Sequence, residues 1–152
     1  MKSIETQITI GAGPDQVWAV LMDFESYPHW NPFIISIKGS ALVGTQLDNE
    51  LKMNDKKSMK FQPEVLVVEA QKEFRWKGKM FVKGLFDGEH YFKIQANSDG
   101  STTLIHGEKF TGVLTGLIMN MIEEDTMKGF EAMNDALKYR VETMREEVQN
   151  AG

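Results

Sequence analysis

"GEHYFKIQANSDGSTTLIHGEKF", residues 88–110, decides how this chain folds. Two runs that alternate at a period of two flank a loop containing Asp99-Gly100, which is the pattern of a β-hairpin. In the first run Phe92 and Ile94 mark the apolar face. His90 shares that face, while Glu89, Tyr91 and Lys93 point the other way. Loop length then sets the register. A two-residue loop of Asp99 and Gly100 pairs Phe92 with Gly107 and turns His106, Glu108 and Phe110 onto the face opposite Phe92. A three-residue loop, Ser98 to Gly100 with Gly100 in the left-handed region, pairs Asn97 with Ser101, Phe92 with His106 and His90 with Glu108. It also gathers Leu104 and Phe110 on the face of Phe92 and Ile94, so hydrophobic matching selects it. Directly opposed residues hold their Cβ atoms roughly 4.5–5.5 Å apart. His90 and Glu108 are therefore expected as partners on the concave face, with His106 one step away.

Outward from this hairpin, the other elements follow from periodicity. Residues 3 to 10 form a first strand anchored by Ile4, Ile8 and Ile10. Pro14 opens a helix in which Val17, Val20 and Leu21 share one face. A second short helix around 24 to 28 is cut off by Pro28 and Pro32. Phe33, Ile35 and Ile37 then alternate with Ile34, Ser36 and Lys38, and Leu47, Asn49, Leu51 and Met53 alternate with charged neighbours. Another strand begins at Met59 and Phe61, where Pro63 marks a bulge or an edge position. In the fifth strand Phe74, Trp76, Met80 and Val82 face inward. Arg75, Lys77, Lys79 and Lys83 make a solvated outer stripe, as in an antiparallel sheet with one wet face. Residues 117 to about 148 read as one long helix whose apolar stripe runs Ile118, Ile122, Phe130, Met133, Leu137, Val141, Met144 and Val148. Gly129 inside it points to a close contact with the sheet, or to space left for a ligand. The order is strand, one or two short helices, six strands, long helix. A twisted meander of this kind curls around the terminal helix.

Composition narrows the function classes. The chain has 152 residues, 17 Lys and Arg against 22 Asp and Glu, and a formal charge of -5. An acidic surface argues against nucleic-acid binding and against docking on anionic membranes. No cysteine is present, which rules out a disulfide framework and suits a cytoplasmic location. The longest mostly apolar run, "GVLTGLIMNMI" (112–122), is too short to span a bilayer, so no integral membrane association is expected. Ten Met and nine Phe are the compositional excess, and Met fills irregular apolar space adaptably. Phosphate loops, dinucleotide fingerprints, nucleophile elbows and zincin motifs do not occur.

Several stretches resemble the START-like (SRPBCC) superfamily, in particular its polyketide cyclase/dehydrase-type single-domain proteins. These are "YPHWNPFI" (27–34), "FQPEVLVVEAQKEFRWKG" (61–78), "GLFDGEHYF" (84–92) and "HGEKFTGVL" (106–114). The likeness spans roughly residues 3 to 145 and implies one START-like domain over 1–152. It implies an α+β helix-grip fold: a seven-stranded antiparallel sheet wrapped around a long C-terminal helix, with a deep apolar cavity between them. Members include carriers of lipids, sterols and plant hormones as well as aromatic cyclases and dehydratases. Trp30, Phe33, His90 and Glu108 stand at matching motif positions, and the resemblance carries over a cavity location without a mechanism.

The expected function is binding of a small hydrophobic or amphipathic molecule between sheet and helix. The expected apolar walls are Trp30, Phe33, Met53, Phe61, Trp76, Phe92, Phe110, Met121, Phe130 and Met133, with His90, His106 and Glu108 at the polar end. The alternative is a polyketide cyclase- or dehydratase-like enzyme in which His90 acts as general acid or base tuned by Glu108. The pair can also be read as a structural one that orders a wet cavity. Two His and a carboxylate can bind iron or zinc. Pairing across one hairpin does not bring three groups to one point, however, so no metal and no cofactor is expected. His29 and Asp125 read as surface residues. A monomer or weak homodimer completes the expectation.

Overall fold

The computed structural model describes residues 1–80 and 84–151. Its elements are β1 (Lys2–Ile10), α1 (Pro14–Met22), a 3-10 turn (Phe24–Ser26), α2 (Tyr27–Trp30), β2 (Ile34–Lys38), β3 (Asp48–Lys52), β4 (Ser58–Phe61), β5 (Glu64–Glu69), β6 (Glu73–Met80), β7 (Phe86–Ala96), β8 (Thr102–Thr111) and α3 (Thr115–Ala151). The architecture is the expected antiparallel layer wrapped on a C-terminal helix, but the strand count differs. Eight strands form two sheets, ordered β1-β8-β7-β6-β5 and β2-β3-β4. The run read as one strand from Met59 onward divides at Pro63. Proline has no N–H to give a ladder, and its carbonyl instead accepts from Leu47 N at 2.9 Å. β5 then joins the larger sheet, and an isolated Gln46–Glu64 bridge ties the two sheets together.

The β7–β8 register pairs His90 with Glu108 and Phe92 with His106. Asn97 N donates to Ser101 O at 2.8 Å, and Gly100 sits at φ +88°. The three-residue loop thus forms. β2 departs from simple alternation. A register shift between Ile34 and Ser36 buries Ile34 and Ile37 together, where simple alternation sets Ile37 in phase with Ile35 and opposite Ile34. Asn31 starts this strand from a buried position, its Oδ1 accepting from Phe33 N and Ile34 N at 2.9 Å each. Val82 and Lys83, placed by alternation on the two faces of β6, lie outside the described residues.

α3 runs 37 residues, about 55 Å at 1.5 Å per residue. It buries Met119, Phe130, Met133, Leu137 and Val141 against β1, β8 and α1. The stripe stops being buried sooner than periodicity indicated: Met144 and Val148 are exposed, because the helix outlasts the layer that covers it. Gly129 answers the question its position raised. A Cβ built there falls in the space held by the Phe33 ring, so the glycine lets Phe33 lie on the helix and leaves no room for a ligand. Gly129→Ala gains about 1 kcal/mol of helix propensity but forces Phe33 aside, at about 1–3 kcal/mol for an overpacked core. A net loss of about 1 kcal/mol is expected in urea unfolding. A stabilised variant would mean that the ring moves away freely.

On the outer face of the larger sheet, Arg75 is held more tightly than a solvated stripe requires. Its guanidinium pairs with Glu73 at 2.9 Å and Glu89 at 3.3 Å and lies 4.8 Å over the Tyr91 ring. Tyr91 in turn donates to Glu5 Oε2 at 2.5 Å.

Candidate functional site

A crevice opens between the two sheets and the N-terminal half of α3. The centre of a water-sized molecule can move through about 70 Å³ of it, and the empty space including its mouth is about 700 Å³. The three-stranded sheet and its flanks contribute Phe33, Leu51, Met53, Met59 and Phe61. The larger sheet contributes Trp76, Phe86 and Phe110, with Gly78 and Gly88 leaving bare backbone. Ile122, Thr126 and Phe130 close it from α3, Asp125 and Lys79 stand at its edge, and Glu108 is the polar group set among the apolar walls.

Seven of the expected residues therefore meet at this space: Phe33, Met53, Phe61, Trp76, Glu108, Phe110 and Phe130. Others do not. Met121 is 77% exposed on the outer side of α3, a quarter turn from Ile122, which faces in. Met133 and Phe92 are fully buried in the core behind the crevice. Trp30 packs edge-on against Tyr27, 5.2 Å between ring centroids, and does not line the crevice. His90 and His106 also lie behind the wall, 2% and 0% exposed. Sequence reasoning missed Leu51, Met59, Phe86 and Ile122 as lining, although alternation sets Leu51 in phase with Met53 and Met59 in phase with Phe61. Asp125 is exposed as expected, yet it edges the mouth.

Behind Glu108 runs a continuous chain of hydrogen bonds. Glu108 Oε1 lies 2.7 Å from His90 Nδ1. His90 Nε2 lies 2.7 Å from His106 Nε2, and His106 Nδ1 lies 2.8 Å from Asn134 Oδ1. Asn134 Nδ2 donates to Thr6 Oγ1 at 2.8 Å, and Thr6 Oγ1 donates to the His106 carbonyl at 2.9 Å. Rings clamp the imidazoles. Trp76 stacks on His90 at 4.7 Å with planes 11° apart. Phe130 stacks on His106 at 4.3 Å and 14°. His90, His106 and Glu108 are strung in a line and do not converge on one point, with both ring nitrogens of His90 already engaged.

Burial dominates the electrostatics. It lowers His90 to about 3, lowers His106 well below the ordinary imidazole range and raises the Glu108 carboxyl to about 8. Desolvation thus outweighs the attraction of Glu108 for a charged His90. Burial favours the uncharged form of all three groups, with the proton of the Glu108–His90 pair on the carboxyl. Its side chain is 17% exposed, which makes it the member of the chain that a molecule in the crevice can touch.

The helix-grip arrangement defines a class, and the comparisons fix the family. Residues 1–142 match the family described as polyketide cyclase/dehydrase and lipid transport, and the chain belongs to it. Among solved structures, the Zhui aromatase/cyclase from Streptomyces sp. R1128 superposes with a TM-score of 0.74 at 14% identity, covering 93% of each chain. A START superfamily protein from Mycobacterium smegmatis superposes at 0.69 with 20% identity, covering 93% of this chain and 98% of that one. Ara h 8.0201 does so at 0.71 with 16% identity, covering 93% and 98%. These identities speak for the shared fold alone. No curated protein matches the chain in sequence. Among the described residues no helix is long and apolar enough to cross a membrane.

Proposed function

We propose that this protein binds a small, mostly apolar molecule in the crevice, with Glu108 as the anchor for its polar end. The observation that carries the reading is the Glu108 carboxyl set in a wall built mainly of Phe, Met, Trp, Leu and Ile side chains, with Thr126 beside them and Asp125 and Lys79 at the edge. Apolar area supplies affinity there, and a single directional group supplies orientation. The Met and Phe lining from the three-stranded sheet suits a tolerant shape. Titration with 2-naphthol, followed by its own fluorescence, tests this. Saturable binding is expected, and Ile122→Trp, which fills the mouth from α3, is expected to weaken it at least ten-fold with little change in melting temperature. Binding that ignores Ile122→Trp would place the probe elsewhere and end the proposal.

A second reading has its own support. The Glu108 carboxyl, raised to about 8, is matched to proton transfer near neutral pH, and one of the superposed structures is an aromatase/cyclase. In this reading Glu108, and not His90, is the group that meets substrate, while His90 and His106 hold its proton in place. Glu108→Gln keeps the shape and removes the transferable proton. Turnover of a polyketide-type substrate by the native chain, lost in Glu108→Gln with binding intact, would favour the enzyme over the carrier.

A further inference from the structure

The hydrogen-bond chain has a fixed direction. Its far end is a backbone carbonyl, which can only accept, so the Thr6 hydroxyl spends its proton on His106 O. The Thr6 oxygen must then accept from Asn134, which turns the amide N–H₂ toward Thr6 and the amide oxygen toward His106 Nδ1. His106 Nδ1 therefore carries hydrogen. A neutral His106 leaves Nε2 as an acceptor, so His90 donates from its own Nε2 and presents a bare Nδ1 to Glu108. The proton between them belongs to Glu108 Oε1. Oε1 is thereby occupied, and Oε2 has no partner among the described residues. Oε2 stands over Gly88, where a built Cβ would lie 3.0 Å away, and both residues line the crevice. Moving the shared proton across to Nδ1 makes Glu108 a carboxylate and leaves Oε2 an acceptor still.

We propose that the crevice-facing oxygen of Glu108 is held as a hydrogen-bond acceptor only, so that the site selects apolar ligands ending in a hydroxyl or N–H group over those ending in an ether, ketone or ester. This rests on the crevice being the binding site. A ligand ending in an acceptor sets two lone pairs against each other in a space with little water, whereas a phenol or alcohol completes the chain. Discrimination of this kind comes from leaving a half-buried polar atom unpaired.

The test compares 2-naphthol with 2-methoxynaphthalene, equal in ring system and differing in the single donor. The native protein is expected to bind 2-naphthol roughly ten-fold or more tightly. Glu108→Gln is the decisive variant. With a bare His90 Nδ1, the glutamine turns its N–H₂ to the histidine and its carbonyl oxygen to the crevice, and the preference for naphthol persists. With hydrogen on Nδ1 it turns the other way and the variant prefers the ether, which overturns the direction assigned to the chain; a native protein that itself prefers the ether overturns the acceptor-only oxygen. Glu108→Leu, checked for an intact fold by its melting curve, is expected to bind both probes within about two-fold. If both probes bind equally to the native protein and Ile122→Trp weakens both, the crevice stands and the donor selectivity falls. If neither binds, the crevice reading fails and takes the selectivity with it.

Discussion

Replacing His106 with leucine is expected to remove about 2–5 kcal/mol of stability, read as a shifted urea midpoint at constant slope. Leucine fills most of the space, so little of the loss comes from a cavity. The loss comes from two orphans: the His90 Nε2–H and the Asn134 amide oxygen, each left in the core at about 1–3 kcal/mol. The contacts of the imidazole with Phe130 and with Phe92, 4.4 Å between ring centroids, are replaced by softer ones. The double variant His106→Leu with Asn134→Leu is expected to cost less than the sum of its parts, since removing both members of a buried pair leaves fewer unpaired atoms. A single-variant loss below about 1 kcal/mol would mean that the buried chain is not formed in solution.

Stability is expected to peak near pH 6.5. The Glu108 carboxyl titrates near 8 in the folded protein, against 4.5 when free. Between those values the folded state holds a proton that the unfolded chain has released, and stability falls as pH rises through the window. The histidines act in the opposite sense. His90 is lowered to about 3 from 6.5, and His106 is lowered too. Below about 6.5 the unfolded chain takes up protons that the folded imidazoles refuse, so stability falls as pH drops. Between 4.5 and 6.5 Glu108 offsets one histidine and the other still carries the acid loss. From pH 6.5 to 8 the Glu108 contribution amounts to about 2 kcal/mol, at about 1.36 kcal/mol per unit. Melting temperature against pH checks this in the native protein and in Glu108→Gln. The variant keeps the acid limb and loses the alkaline one. An alkaline decline of equal depth in both would assign it to other groups.

The hairpin was legible because loop length, glycine placement and apolar matching all select one register, and that register alone brings His90 to Glu108. The helix-grip arrangement followed from the order of periods. The division at Pro63 was not legible, since a proline reads equally as a bulge, an edge or a break until the partner strands are known. The β2 bulge escaped for a similar reason: Phe33, Ile34, Ile35 and Ile37 are all apolar, so alternation cannot say which face is buried. The remainder of the hydrogen-bond chain depends on contacts far apart in sequence. Thr6 lies 100 residues from His106, and nothing local links them. Asn134 did carry a signal, because it interrupts the apolar stripe one turn beyond Phe130. A polar residue at such a position is buried with a partner. Met121 was placed on the wall by type, although its helical phase puts it one residue off the inward-facing Ile122.

The break at Pro63 separates two kinds of information. The smaller sheet lends the crevice only greasy contours, through Leu51, Met53, Met59 and Phe61. Everything that can gain or lose a proton there hangs from the larger layer and the terminal rod. Size preference and chemical preference are thus inscribed on separate halves of one molecule. Substitutions in the smaller half can retune which outlines are accepted while the acid and its imidazole backing stay as they are.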